Sequence, residues 1–291
     1  MTKKRREFIK LAGAAGIGLT VANPRLFSAI PARSKMKFGL VTYQWGKDWD
    51  LPTVIKNCED TGYEGVELRT EHAHGVESTL SSSERKRVKK MFFQSSVTCV
   101  GYGSNFEYHS PDQTKLRWNI EQTKAYVKLC HDIGATGLKV KPNTLPTEIP
   151  REKTISQIAA SLNEVGKFAQ DYDQMIRVEA HGRITSELPN MKAIFDQVTE
   201  PNVKICWNCN PVDTNPPGLK GNFESVQQWI GDTVHVHTLD KGDYPYEEVF
   251  GLLGAMDYEG WILLEEGAVP IDIVTSMKEQ QTVFNALMSK L

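Results

Sequence analysis

Three polar side chains share one face of a short segment near the middle of the chain. Residues 176–182 read IRVEAHG, in which polar and apolar residues alternate. Side chains alternate faces along a strand, so Arg177, Glu179 and His181 lie together and their neighbours point the other way. Carboxylates and imidazoles transfer protons and bind metal ions. An antiparallel strand with one wet face explains the alternation equally well, so the rest of the chain must decide.

Similar polar side chains recur at the ends of other strand-like segments. They are Glu67, Arg69, His72, His74, Lys139, Lys141, Asn208, Asn210, His235, His237, Asp240, Glu265 and Glu266. Of the seven histidines in the chain, five lie at these ends or in the loops directly after them. A structural role alone does not explain this concentration, which indicates a common site.

The elements that position these residues are eight strands, each followed by a helical pattern. The predicted strands cover residues 37–44, 65–69, 97–101, 137–141, 176–182, 203–208, 233–238 and 261–265. Strands that alternate with helices form parallel sheets, and eight regular units predict a single α/β domain, a (β/α)8 TIM barrel, over residues 36–291. A doubly wound open sheet is the alternative. No glycine-rich phosphate loop follows the first strand, which argues against nucleotide binding.

The carboxyl ends of the strands in such a barrel meet at one rim, where the active site forms. Strand alternation places His235 and His237 on one face, and His237, nearer the rim, is the expected ligand, with His235 in a second layer. Two carboxylates, one imidazole and one amide oxygen suit Mn²⁺, Co²⁺, Mg²⁺ or Zn²⁺. Glu179 and Glu265 could also flank a substrate carbon and move protons at it.

These segments together resemble the sugar isomerase/epimerase family with a xylose isomerase-like barrel. The similarity lies in IRVEAHG, VKICWNCNP, VHVHTLD and YEGWILLEE. The resemblance implies one divalent metal ion, Mn²⁺ in the first place, bound by Glu179, Asn208, His237 and Glu265. Asn208 departs from the aspartate that the family has on strand six. An amide supplies an oxygen without a charge, which weakens metal binding or favours a different ion.

The resemblance also implies roles for the site residues. Glu179 and Glu265 become the acid/base pair, which removes a proton beside a carbonyl and returns it elsewhere. Arg69, His74, Lys141 and His181 are expected to contact the substrate. Structural alternatives stay open: Lys141 pairs with Glu179, Arg69 pairs with Glu67, and His74 caps a loop.

The expected function is therefore a metal-dependent isomerase or epimerase of an unphosphorylated sugar or keto-sugar derivative. A keto-glycoside lyase or hydrolase could use the same proton abstraction. A phosphodiesterase related to apurinic-site endonucleases is less favoured, because it needs more metal ligands at the rim. A non-catalytic sugar-binding protein has only Asn208 in its favour. The resemblance implies a homo-oligomer, since relatives form dimers or tetramers.

The first 32 residues differ in composition from the rest of the chain. A basic head, KKRREFIK at 3–10, precedes a Gly/Ala-rich, mildly apolar run. This layout predicts a twin-arginine signal peptide over residues 1–32, with the export machinery as partner and the periplasm as destination. The net charge of −2 gives no electrostatic case for nucleic acid. Five cysteines, an odd number, predict buried thiols rather than a disulfide framework.

Overall fold

A computed structural model describes residues 35–291, so the predicted export signal at 1–32 lies outside the described residues. The described chain forms eight strands, each followed by a helix. The strands are β1 Lys37–Val41, β2 Gly65–Arg69, β3 Thr98–Glu107, β4 Gly137–Lys141, β5 Met175–Glu179, β6 Val203–Asn208, β7 Ile230–Val236 and β8 Trp261–Leu264. The helices are α1 Leu51–Thr61, α2 Ser82–Phe93, α3 Gln113–Ile133, α4 Arg151–Gln170, α5 Leu188–Phe195, α6 Leu219–Val226, α7 Tyr246–Ala255 and α8 Ile273–Met288.

All eight strands are parallel and join in chain order, and β8 closes onto β1. The predicted single (β/α)8 barrel is confirmed. Closure leaves no sheet edge, and the helices cover the outer surface of the barrel. The carboxyl ends of all eight strands therefore form one continuous rim.

The helix boundaries follow signals that are visible in the sequence. Asp50 caps α1, with its side chain accepting a hydrogen bond from the Thr53 backbone, and Gly62 ends that helix in the left-handed conformation at φ 79°. The start of α2 is a reciprocal capping box between Ser81 and Glu84. Within residues 35–291, no helix is both long and apolar enough to span a membrane.

An ion pair between a buried arginine and a partly exposed aspartate lies in the amino-terminal part of the barrel interior. Arg177 is fully buried, and its Nε and Nη2 donate to the two carboxylate oxygens of Asp232 at 2.8 and 2.7 Å. Gly101 and Gly137 leave space for this guanidinium, because a Cβ at Gly101 would lie 2.1 Å from Arg177 Nη1. The polar face of IRVEAHG is thus the inner wall of the barrel, with Arg177 below the rim.

Strand β3 is twice the length predicted, Thr98–Glu107 instead of 97–101. Its second half carries Gly103, Ser104 and Asn105, which are typical of turns. This half nevertheless pairs with β2 and β4, because small residues there accommodate large side chains from neighbouring strands. The predicted buried thiols are confirmed, since all five cysteines are free and buried.

Candidate active site

Four polar side chains meet at the rim between β5 and β8. Glu179 ends β5, Asn208 ends β6, His235 is the penultimate residue of β7, and Glu265 directly follows β8. One ligand atom from each of Glu179, His235 and Glu265 lies within 4.8 Å of the other two. All four side chains are buried, so their charges and hydrogen bonds act in a medium of low polarity.

Each carboxylate directs one oxygen toward His235. His235 Nδ1 lies 3.2 Å from Glu265 Oε2 and 3.8 Å from Glu179 Oε1. Asn208 Nδ2 donates to the same Glu179 Oε1 at 3.2 Å. The other amide atom, Asn208 Oδ1, is buried and has no hydrogen-bond partner in the described part of the chain.

The second oxygen of each carboxylate is held by a cation. Lys139 Nζ donates to Glu179 Oε2 at 2.5 Å, and Arg69 Nη1 donates to Glu265 Oε1 at 2.6 Å. Lys139 is fully buried on β4, and Arg69 ends β2. These two ion pairs fix the orientation of the carboxylates, because a charged hydrogen bond is both stronger and more directional than a neutral one.

The neighbouring charges keep both carboxylates ionised. Burial alone would raise the pKa of Glu179, but the positive charge of Lys139, with His235 and Lys141, holds this pKa well below its ordinary range. Burial and the charge of Glu179 would likewise raise the pKa of Glu265, and Lys139 and His235 lower it overall. Both groups therefore enter a reaction at neutral pH as bases.

Glu67 lies beneath His235 inside the barrel. His235 Nε2 is 3.4 Å from Glu67 Oε1, and neither side chain is exposed. Burial opposes a charge on the imidazole, yet the surrounding negative groups, including Glu67 and Glu265, raise the pKa of His235 well above its ordinary value. Gly103 makes room for this carboxylate, since a Cβ there would lie 2.7 Å from Glu67 Oε1.

Two of the four predicted substrate residues stand beside the carboxylates. Lys141 Nζ lies 4.0 Å from Glu179 Oε2, and burial together with the charge of Lys139 lowers the pKa of Lys141 to about 8. His181 Nδ1 is buried without a hydrogen-bond partner among the described residues. Burial also lowers the pKa of His181, so its imidazole is neutral and can donate or accept a hydrogen bond.

The other two predicted substrate residues have structural partners. Arg69 does pair with a carboxylate, but its partner is Glu265 rather than Glu67, and its guanidinium also stacks 4.8 Å from the Tyr43 ring centre. His74 is occupied in its own loop, with Nε2 2.8 Å from the Arg69 carbonyl oxygen and Nδ1 accepting from the Val76 backbone at 3.0 Å. Neither ring nitrogen of His74 is left for a substrate.

The structure brings His235, rather than the predicted His237, to the two carboxylates. Strand β7 ends at Val236, so His237 lies beyond the sheet and is only half-buried. Its Nδ1 is 2.8 Å from the backbone carbonyl oxygen of Glu265. His235 is thus the histidine of the pair that lies beside both carboxylates, and His237 as the metal ligand stays a prediction.

Lys139 and Glu67 are site residues that the sequence prediction left unassigned. Both occupy inward positions two residues before the predicted contacts Lys141 and Arg69 on the same strands. This period of two is the signal that could have found them, since alternate residues of a strand share a face. Charged residues at such inward positions must pair with one another because water cannot reach them.

Comparison with known proteins agrees with this geometry. A sequence profile described as a xylose isomerase-like TIM barrel matches residues 55–286. The chain belongs to this family. A protein named inosose isomerase from Bacillus velezensis is 20% identical over 235 residues, which is 79% of either chain.

Two solved structures of similar fold extend the comparison. The 3-keto-D-glucoside 4-epimerase YcjR from E. coli superposes with a TM-score of 0.70 at 13% identity, covering 86% of this chain and 99% of its own. The IOLI protein with a bound zinc atom superposes with a TM-score of 0.71 at 16% identity, covering 88% of this chain and 99% of its own. Sugar isomerases and epimerases are thus among the family members that this chain resembles.

Proposed function

We propose that this protein is a divalent-metal-dependent isomerase or epimerase of an unphosphorylated sugar or keto-sugar derivative. The observation that carries the proposal is the paired arrangement of Glu179 and Glu265. Each carboxylate has one oxygen held by a buried cation and one turned toward a shared imidazole, His235. Two ionised carboxylates whose oxygens lie within 4.8 Å of each other suit proton removal and return at a single carbon between them.

The donor atoms fit a divalent ion. Two carboxylate oxygens, His235 Nδ1 and an amide oxygen form a mixed O/N set of the kind that binds Mn²⁺, Co²⁺, Mg²⁺ or Zn²⁺. Asn208 Oδ1, buried without a partner, is an atom that such an ion would satisfy. Glu179, Asn208, His235 and Glu265 would hold the ion, and His235, whose pKa is raised in the metal-free site, would release its proton as the ion binds. The ion would polarise the substrate carbonyl and so acidify the neighbouring C–H. Mn²⁺ is our first expectation.

The protein's side chains would carry out proton transfer, hold the carboxylates in position and bind the substrate. One carboxylate takes the proton from the carbon next to the carbonyl. The other carboxylate, also ionised at the start, takes up a proton from water and returns it to the carbon from the opposite side, and the first carboxylate then releases its proton to water. Lys139 and Arg69 hold the two carboxylates in position throughout. Lys141 and His181, at the same rim, are placed to donate hydrogen bonds to substrate hydroxyl groups. The relatives named for sugar isomerisation and epimerisation support this choice of chemistry.

Elimination from a keto-glycoside is a second candidate, favoured by Lys141. The same proton abstraction can expel an oxygen two carbons away from the carbonyl carbon if an acid protonates that oxygen. An ammonium group with a pKa of about 8, 4.0 Å from the base Glu179, is suited to that step. Release of a free aglycone from a keto-glycoside would identify elimination, and a stereoisomer of unchanged mass would identify epimerisation.

The proposal is tested with purified protein, Mn²⁺ and a panel of keto-sugars and keto-glycosides. We expect turnover of at least one member, together with one equivalent of bound Mn²⁺ by elemental analysis. Glu179→Gln and Glu265→Gln should each lower turnover by at least about a hundredfold. If both variants kept the metal content and turnover of the wild type, the site assignment would be wrong.

A matched pair of histidine variants tests the choice of ligand. His235→Gln should lower the Mn²⁺ affinity more than His237→Gln does, because only His235 contacts both carboxylates. The reverse order of the two affinities would support the ligand set that the sequence predicted, with His237 in place of His235.

A further inference from the structure

A cavity opens beside the barrel mouth, between the loops that follow β3, β4 and β5. Its volume is about 450 Å³, within the range of small-molecule binding sites. The residues that define its chemistry are His109, Leu145, Thr147, Glu148, Arg183 and Ile184. None of them belongs to the carboxylate site, so the proposed reaction leaves this cavity unexplained.

The cavity adjoins the carboxylate site through the end of the IRVEAHG segment. Arg183, in the cavity wall, is only four residues from Glu179, so their Cα atoms are at most about 15 Å apart. Gly182 between them pairs with Asn143 of the β4 loop. A Cβ at Gly182 would lie 1.7 Å from the Asn143 carbonyl oxygen, and its φ is +99°. The backbones of Gly182 and Asn143 thus lie in direct contact, between Glu179 and the cavity.

Unpartnered polar groups occur on both sides of this backbone contact. His181 Nδ1 on the barrel side and His109 Nδ1 on the cavity side are both buried with no hydrogen-bond partner among residues 35–291. Arg183 is exposed and makes no ion pair or hydrogen bond with the described residues, and the same holds for Glu148. Buried polar atoms are normally satisfied, so the two free imidazole nitrogens indicate a polar ligand, to which the exposed Arg183 and Glu148 offer further hydrogen-bond partners.

The charge balance of the cavity decides the class of ligand. The positive charge of Arg183 and the negative charge of Glu148 offset each other, and burial lowers the pKa of His109, which keeps that imidazole neutral. A phosphate or carboxylate group would meet Glu148, and an ammonium group would meet Arg183. A neutral ring with many hydroxyl groups can use both charged side chains as hydrogen-bond partners, while Leu145 and Ile184 contact its apolar face.

We propose that this cavity is a subsite for a second sugar ring, so that the substrate is a glycoside of at least two rings. The ring that reacts lies at Glu179 and Glu265, and the ring attached to it lies between Arg183 and Glu148. The inference rests on the proposed function and adds the substrate class to it. A free monosaccharide would fill only the barrel mouth and would lose the contacts of the cavity.

The test compares two probes that differ only in the second ring. They are methyl 3-keto-β-D-glucopyranoside and cellobiose oxidised at C3 of its non-reducing ring. We expect the wild type to have the higher kcat/KM for the disaccharide. Thr147→Trp, which fills the cavity, and Arg183→Ala should lower the disaccharide kcat/KM by at least about tenfold and leave the methyl glycoside within about twofold.

Matched substitutions elsewhere on the surface serve as controls. Thr282→Trp on α8 and Arg87→Ala on α2 change exposed residues of the same types outside the cavity, and both should leave the two probes unaffected. Equal kcat/KM values for the two probes in the wild type, or equal losses for both in the cavity variants, would overturn the subsite.

Failure of the proposed function gives a different result from failure of the subsite. If the wild type converts neither probe, nor any other keto-sugar, the proposed function is wrong and the subsite is judged by binding. Calorimetric titration with unoxidised cellobiose then decides: binding that Thr147→Trp abolishes supports the subsite, and no binding to the wild type overturns it.

Discussion

The two oxygens of each site carboxylate have different partners, and the site depends on this difference. Glu179 and Glu265 each accept a strong hydrogen bond from a buried cation at one oxygen and direct the other oxygen toward His235. This part of the barrel contains three cationic side chains and three carboxylates, so the site is nearly balanced in charge before any metal ion enters. The cations are Arg69, Lys139 and Lys141, and the carboxylates are Glu67, Glu179 and Glu265. This balance explains how the barrel tolerates so many buried charges.

Asn208 is the residue that sets metal affinity in this account. Asn208→Asp adds one negative charge to the proposed ligand set and should tighten Mn²⁺ binding by about tenfold or more, because affinity follows the charge of the ligands. Calorimetric titration of metal-free protein with Mn²⁺ measures the change. Asn163→Asp, on the outer helix α4, adds the same charge away from the site and should leave the affinity unchanged. Equal or weaker binding in Asn208→Asp would exclude residue 208 from the ligands.

Asp213 gives a pH dependence that is separate from catalysis. Burial raises the pKa of its carboxyl to about 7, although Tyr244 and the Asn210 backbone donate hydrogen bonds to it. The folded protein thus retains this proton between about pH 4 and pH 7, where the unfolded chain has lost it. The stability from Asp213 is full below the unfolded pKa and falls as the pH rises toward 7.

Replacing this carboxyl by a neutral amide should remove that dependence. We expect Asp213→Asn to be more stable relative to the wild type at pH 8 than at pH 5, with a difference of about 2 kcal/mol in the free energy of unfolding. Urea unfolding at the two pH values measures it. A stability difference that does not change between pH 5 and pH 8 would contradict the raised pKa.

At the scale of the elements, the sequence predicted the strands that carry the site but not how they share the barrel interior. The bounds of β2, β4 and β6 agree with the predicted ones, because each is a short segment in which apolar residues are interspersed with polar ones, between turn signals. Which of the inward-facing residues reach the active site depends on how side chains from neighbouring strands fill the barrel interior. Lys139 and Glu67 were left without a role for this reason, since depth below the rim is a property of register and not of local sequence.

The glycines of β3 show how neighbouring strands divide the interior. Gly101→Ala places a methyl group against Arg177, which is fixed by Asp232, and against the Gly137 carbonyl oxygen at 2.8 Å. Overpacking of this kind should lower the free energy of unfolding by about 1–3 kcal/mol. Gly251→Ala is the matched control, because its Cβ on α7 meets no atom within 4 Å.

The control should change stability in the opposite direction. Gly251 lies inside a helix, where alanine is favoured over glycine by about 1 kcal/mol. Thermal unfolding of both variants provides the comparison. If Gly101→Ala were as stable as Gly251→Ala, the barrel interior around Arg177 would be looser than the structure indicates.

At the scale of the whole molecule, the fold followed from regular spacing alone. Eight strand–helix units without a linker leave a closed parallel barrel as the simplest arrangement, and the first strand pairs with the last. The cavity beside the mouth could not be predicted, because its lining comes from three loops whose conformations depend on contacts such as Asn143 with Gly182. Loop positions of this kind carry no periodic signal.

Export is a prediction about the whole chain that does not depend on the barrel chemistry. We propose that residues 1–32 direct the protein to the periplasm through the twin-arginine pathway. Replacing Arg5 and Arg6 together by lysine should retain the protein in the cytoplasm, as measured by cell fractionation, whereas Lys3→Gln should not. Equal periplasmic amounts of the double-lysine variant and the wild type would refute this route.

Solvent deuterium exchange tests the central claim most directly. In the proposed reaction, two different carboxylates remove and return the proton, so the hydrogen that enters the product comes from groups in exchange with water. In D₂O with Mn²⁺, the wild type should place deuterium on the carbon next to the carbonyl of the keto-glycoside, detected by NMR. Glu179→Gln and Glu265→Gln should abolish this incorporation. Product that forms at the wild-type rate and carries no deuterium would contradict the account.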